Sequence, residues 1–148
     1  MTTTPADELR AAADKLRKLA SAATPGPWRQ HDTHLGQYGY TATVLSGEGN
    51  DTDLRAWLPS MSHEPWDETR NAWPDAQYIA AMHPGVGAAL ADWLEETARH
   101  YDAGVTAADD VFRNDPAGHT AFLTTGPGAP SEHALAVARQ INAAAPAP

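Results

Sequence analysis

Few residues in this chain are able to do chemistry, and their spacing decides how far each reading goes. His31-x-x-His34 is its one close histidine pair. On a helix such spacing would set two imidazoles side by side for a metal. Here it falls where a strand gives way to a glycine-containing turn, and no H-E-x-x-H pattern accompanies it. A metal-dependent hydrolase using His31 and His34 is therefore the third of three functional readings. His83 has a different setting, directly before Pro84 and close to Gly85 and Gly87. The residue before a proline is pushed out of helical geometry, so His83 marks a corner between two helices. The free N–H groups of the second helix's first turn favour an anion, and small residues let a ligand approach the backbone. His83, Gly85 and Gly87 thus form a candidate small-ligand, nucleotide-like site. The competing reading is structural, with glycines letting two helices pack closely and His83 capping the second. It has the better support, because the G-x-G lacks the third glycine and the preceding strand of a dinucleotide fingerprint.

The remaining candidates are weaker. Asp109-Asp110 and Asp51/Asp53 lack the oxygen-ligand spacing of a calcium loop and read as solvated surface. His63, His100, His119 and His133 stand at no telling distance from a partner. There is no G-x-S-x-G elbow and no P-loop. The absence of cysteine from the chain excludes disulfides, thiolate zinc sites and cysteine nucleophiles. No catalytic residue, metal or cofactor is implied, and the reading leans away from an enzyme. The tryptophans supply the other candidate. Trp57, Trp66 and Trp73 lie on a strand and around a loop where all three are hard to bury together. Two of them exposed side by side would form a protein-binding patch, since aromatic anchors dominate interfaces.

The elements that must position these residues follow from periodicity. Thr4-Pro5-Ala6-Asp7 reads as a helix start, with a hydroxyl N-cap, proline at N1 and an early acid. Leu9, Ala12, Leu16, Leu19 and Ala23 follow at helical spacing, giving an N-terminal helix over 5–23 that Pro25 and Pro27 terminate. Residues 27–58 read as an antiparallel meander: Trp28–Asp32, then Tyr40–Leu45, a turn over Gly47–Asp51, and Leu54–Leu58. In the last strand Leu54, Ala56 and Leu58 make the apolar face, opposite Arg55 and Trp57. Ser60–Ala72 has no period. A central helix pair spans 74–101, with Tyr78, Ile79 and Met82 as the apolar edge of the first helix. Val86, Leu90, Trp93, Leu94, Thr97 and Tyr101 form the buried stripe of the second. Residues 102–130 read as an irregular segment, apart from one short helix around Val111 and Phe112. Ser131 caps a C-terminal helix over 131–143.

At 148 residues the chain is most economically one domain, residues 1–148. The fold class is α+β: a three-stranded antiparallel meander packed against the N-terminal helix and the central helix pair, with a C-terminal helix. Because phenylalanine is scarce (two residues), the five tryptophans and four tyrosines are expected to supply the bulky core. A formal net charge of −9 without any basic run argues against binding nucleic acid or an anionic membrane surface. The acidic residues are too dispersed for a DNA mimic. No apolar run approaches the roughly 20 residues of a membrane span and no leader is evident at the N-terminus, so a cytoplasmic protein is expected.

Three blocks carry a resemblance. Ala23-Thr24-Pro25-Gly26-Pro27-Trp28 follows the first helix. Asp75-Ala76-Gln77-Tyr78-Ile79-Ala80-Ala81-Met82-His83-Pro84 runs on into Ala91-Asp92-Trp93-Leu94. His133-Ala134-Leu135-Ala136-Val137-Ala138-Arg139 lies in the last helix. Together they resemble small accessory proteins of actinobacterial phages and prophages that carry an ATPGPW turn and a later D-A-x-x-I-A helix. The resemblance implies a phage or prophage accessory protein without an established activity, so no catalytic residue is carried over. The expected role is non-enzymatic binding of a host or phage protein, with a homodimer as one possible form.

Overall fold

Thr4 and Asp7 start the first helix by exchanging hydrogen bonds. The Asp7 N–H donates to Thr4 Oγ1 at 3.2 Å and the Thr4 N–H donates to Asp7 Oδ2 at 3.0 Å. This is a capping box with aspartate in the acidic position, and Pro5 opens the helix behind it. The Thr4 hydroxyl and backbone bonds hold the Asp7 carboxyl below the ordinary aspartate value.

The structure is a computed structural model that describes residues 3–33, 42–58 and 72–144. Its elements are α1 (Pro5–Ala22), β1 (Trp28–Asp32), β2 (Ala42–Ser46), β3 (Asp53–Leu58), α2 (Trp73–Ala81), α3 (Pro84–Val111), α4 (Pro116–Thr124) and α5 (Glu132–Ala143). The class is α+β, with an antiparallel sheet in the order β1-β2-β3 and a helix packed against it. The chain gathers into two compact units, one of Met1–Leu19 and Ala88–Pro148, the other of Ala20–Gly87. Tyr40 and Thr41 of the expected second strand, residues 59–71 and the last four residues lie outside the described residues.

The first unit is helical and is built on alanine. Ala6, Leu9, Ala12 and Ala13 of α1 share a core with Ala91, Leu94 and Ala98 of α3 and with Ala134, Leu135 and Ala138 of α5. Small side chains let helix axes approach toward the short end of the usual range, roughly 8–10 Å. The expected burial of Trp93 is corrected here, whereas Tyr101 does pack against this core. Among the described residues the largest fully buried side chains are Leu9, Leu94, Val44 and Thr43, and Trp93 is 43% exposed. The buried stripe of α3 runs through Ala91, Leu94 and Ala98, and Trp93 sits one residue (about 100° of rotation) from its centre. Leu19, counted with the buried stripe of α1, is likewise 53% exposed.

Polar groups flank this core. Arg10 Nη2 donates to Asp102 Oδ2 at 2.6 Å and Arg17 Nη2 to Asp92 Oδ1 at 3.1 Å, joining α1 to α3. Each carboxylate raises its arginine's already high pKa. Glu95 faces both arginines, at 3.5 Å from Arg10 Nε and 3.8 Å from Arg17 Nη1. Lys15 Nζ donates to the carbonyls of Ile141 and Ala144, satisfying acceptors at the end of α5.

Residues 102–130, expected to be irregular, hold the last ten residues of α3 and the whole of α4. Ala108 is fully buried and continues the stripe of Ala91, Leu94 and Ala98. Asp115 caps α4 by accepting the Gly118 N–H at 2.9 Å, with Pro116 in the first helical position. The signal was the one used for Thr4-Pro5, a capping side chain followed by proline. Phe112 and Phe122 then meet with ring centroids 5.6 Å apart. The chain turns at Gly128, whose buried backbone lies so close to the Phe122 ring that an added β-carbon would fall 2.6 Å from Cδ1.

In the second unit α2 lies on β1 and β2. Ala76 and Ala80, with Trp73 and Ile79, pack against Trp28, Ala42, Val44, Ala56 and Leu58. The expected edge of α2 is corrected. Ile79 does face the sheet, but Tyr78 (69% exposed) and Met82 (46%) point outward. The last strand also departs from simple alternation. Val44 pairs with Ala56 but Leu45 pairs with Leu54, so Arg55 is an extra residue forming a bulge. Inserting one residue moves Leu54 off the face of Ala56 and Leu58 and onto that of Trp57.

Candidate functional site

The outer face of the sheet, opposite α2, carries the exposed aromatic that the sequence singles out. Cross-strand register sets His31, Thr43 and Trp57 in one row and Arg29, Leu45 and Leu54 in the next. The middle members are buried, while Trp57 and Leu54 on β3 are 59% and 52% exposed. Arg29 and His31 on β1 are exposed too. Thr43 Oγ1 donates to the His31 carbonyl at 2.6 Å, tying β2 to β1 through a side chain. Arg29 reaches from β1 over β2 to the β2–β3 turn, donating from Nη1 to the Gly47 carbonyl and from Nη2 to Thr52 Oγ1 at 3.2 Å. On this face Leu54 and Trp57 of β3 and Arg29 and His31 of β1 are exposed, on either side of the buried Thr43 and Leu45.

The three tryptophans proposed as a patch are not treated alike by the fold. Trp57 stands on this outer face. Trp73 is half-buried on the opposite side, in the cluster between α2 and the sheet. Trp66 lies outside the described residues. Among the described residues, Leu54 is the exposed apolar side chain that shares this face with Trp57. Sequence reasoning missed it, because only the bulge at Arg55 brings Leu54 to that side.

At the helix corner, His83 caps α3. Its Nδ1 accepts the Gly85 N–H at 3.1 Å, and its carbonyl accepts from Val86 at 2.9 Å and Gly87 at 3.4 Å. The first-turn donors that an anion would need are thus engaged by His83 itself. The imidazole is also pressed against Gly26, where an added β-carbon would fall 2.9 Å from Cγ. The same turn is tied to the sheet: Trp28 Nε1 donates to the Thr24 carbonyl at 3.1 Å, and Arg55 Nη1 donates to Thr24 Oγ1 at 2.5 Å. Gly85 and Gly87 serve close packing here, Gly85 beneath the His83 ring and Gly87 opposite Ala20.

The acidic pair at the end of α3 is engaged from two sides. His119 Nε2 lies 2.8 Å from Asp109 Oδ1, and Arg113 Nη2 donates to Asp110 Oδ1 at 2.8 Å. A shallow depression of about 420 Å³ lies alongside, lined by Asp110, Val111, Arg113, Asn114 and Asp115. His31 is exposed on β1, whereas His34 lies outside the described residues, so the pair is not placed. Among the described residues, no three histidine or acidic side chains gather as metal ligands would. None of the described helices is long and apolar enough to cross a membrane. Comparison with protein-family models, curated proteins and solved structures finds no match to this chain.

Proposed function

We propose that this chain is a non-enzymatic accessory protein of phage or prophage origin that acts by binding a host or phage protein through the outer face of its sheet. The observation that carries the binding reading is the exposure of Trp57 and Leu54 side by side on that face. A large aromatic held in water by a strand, with an aliphatic neighbour, is the composition of an interface anchor. The phage origin rests on the sequence blocks alone. Two of them, Ala23–Trp28 and Asp75–Pro84, meet where Gly26 touches His83. That contact supports reading them as packing motifs of one structural element.

The test compares capture of host proteins by the wild-type chain and by Trp57→Ser. Specific capture that disappears with the substitution supports the reading. Equal capture by both, in a variant that keeps its thermal midpoint, would place the function elsewhere.

A further inference from the structure

We infer that Arg55 is the positioning residue of the outer face: its hold on Thr24 keeps β3 bulged and so decides that Leu54 stands beside Trp57. The register belongs to the chain itself, and only its consequence for a partner rests on the protein-binding reading. Two pairings of β3 with β2 are open to this sequence. Regular alternation would set Leu54, Ala56 and Leu58 against α2 and turn Arg55 outward with Trp57. That register buries an aliphatic side chain and leaves a guanidinium in water, as transfer free energies favour. The fold does the reverse. Leu54 pairs with Leu45 and is 52% exposed, while Arg55 is the extra residue and is only partly exposed.

Such an arrangement needs bonds that the regular register lacks. Arg55 Nη1 donates to Thr24 Oγ1 at 2.5 Å, and Nη2 lies 3.2 Å from Asp53 Oδ2. Asp53 pairs with Ser46, which puts it on the α2 side of the sheet with Val44 and Ala56. Thr24 is itself fixed, because its carbonyl accepts Trp28 Nε1 at 3.1 Å and Trp28 packs in the cluster under α2. Arg55 Nε is enclosed without a hydrogen-bond partner among the described residues, which disfavours the buried guanidinium. The Nη bonds must therefore hold it there, and charge-assisted bonds are the strong ones. In the regular register Arg55 would stand opposite Leu45 and Leu54 opposite Ser46, with no extra residue and with Arg55 turned away from Thr24. A partner would then meet a guanidinium beside Trp57 where it now meets an aliphatic side chain. The contact between the turn after α1 and β3 thus sets the chemistry of the face.

The chain has no cysteine, so a single introduced thiol reports its own accessibility. Leu54→Cys and Trp57→Cys are each labelled with a maleimide under native conditions in three backgrounds: otherwise wild type, Thr24→Val and Arg55→Met. Both thiols should react quickly in the first. Either added substitution should slow the thiol at position 54 roughly tenfold as it turns toward α2. The thiol at position 57, outward in both registers, should stay within about twofold. Equal labelling at position 54 in all three backgrounds would assign the register to the 47–52 turn and overturn the inference. Equal slowing at both positions, or loss of the folded circular-dichroism spectrum in Thr24→Val, would make the contact a general support and overturn it too. None of these outcomes touches the protein-binding reading, which capture by Trp57→Ser tests separately.

Discussion

The His83 imidazole stands against Gly26 so closely that a β-carbon at Gly26 would fall 2.9 Å from Cγ. The same ring accepts the Gly85 N–H, so one histidine holds both the proline-rich turn after α1 and the start of α3. Gly26→Ala should cost about 1–3 kcal/mol by overpacking. His83→Ala alone should cost about 0.5–2 kcal/mol through the lost cap. The double variant should fall short of the sum by at least about 0.5 kcal/mol, because removing the ring makes room for the methyl. Additive losses in urea denaturation would mean that the two residues do not bear on each other. His83→Asn, which keeps a capping acceptor, should lose less than His83→Ala.

The alanine core makes the helical unit sensitive in both directions. Leu94→Ala should cost about 2–5 kcal/mol by opening a cavity at a fully buried site. Ala98→Leu should cost about 1–3 kcal/mol by forcing α3 away from its neighbours. A stable Ala98→Leu with an unchanged denaturation midpoint would contradict packing on small side chains.

Gly128 offers a separate check on the segment after α3. Gly128→Ala should destabilise through collision with the Phe122 ring, and Phe122→Leu should relieve part of that loss. Hydrogen exchange of α4 amides reports the effect locally, as faster exchange in Gly128→Ala and partial recovery in the pair.

Acid should weaken the capping box at the start of α1. Because folding lowers the Asp7 pKa, its contribution is complete above the ordinary aspartate value and is lost as pH falls through the folded value. Thermal midpoints of wild type and Asp7→Asn, followed from neutral pH into the acid range, should differ at neutral pH and draw together once Asp7 is protonated. A gap that stays constant down to acid would remove Asp7 from the account.

Trp57→Ser should leave stability within about 0.5 kcal/mol, as expected for a surface position, while removing partner binding. A large drop in thermal midpoint would instead make Trp57 a structural residue.

Much of this fold was legible in local signals. Thr4-Pro5 and Ser131 announced helix starts because a capping side chain and a fixed proline φ act within a few residues. His83-Pro84 announced the corner for the same reason, and His83 proved to be the cap. Asp115-Pro116 carries the same signal, obscured by nearby glycine and threonine that read as irregular chain. The α+β class and the strand order followed from alternation and turn chemistry between neighbouring strands.

What the tertiary structure decided was which apolar residues are inside. Side-chain size pointed to tryptophan and tyrosine, but helices that meet on alanine leave large rings at the rim, as with Trp93. The outer face of the sheet was decided in the same way. Trp57 was visible as a candidate in the sequence, but Leu54 reached its side only through an extra residue in β3. Arg29 joined them only because the register of β1 lays it across β2. Local chemistry set the element boundaries, whereas the pairing of elements far apart in the chain set the surface they present.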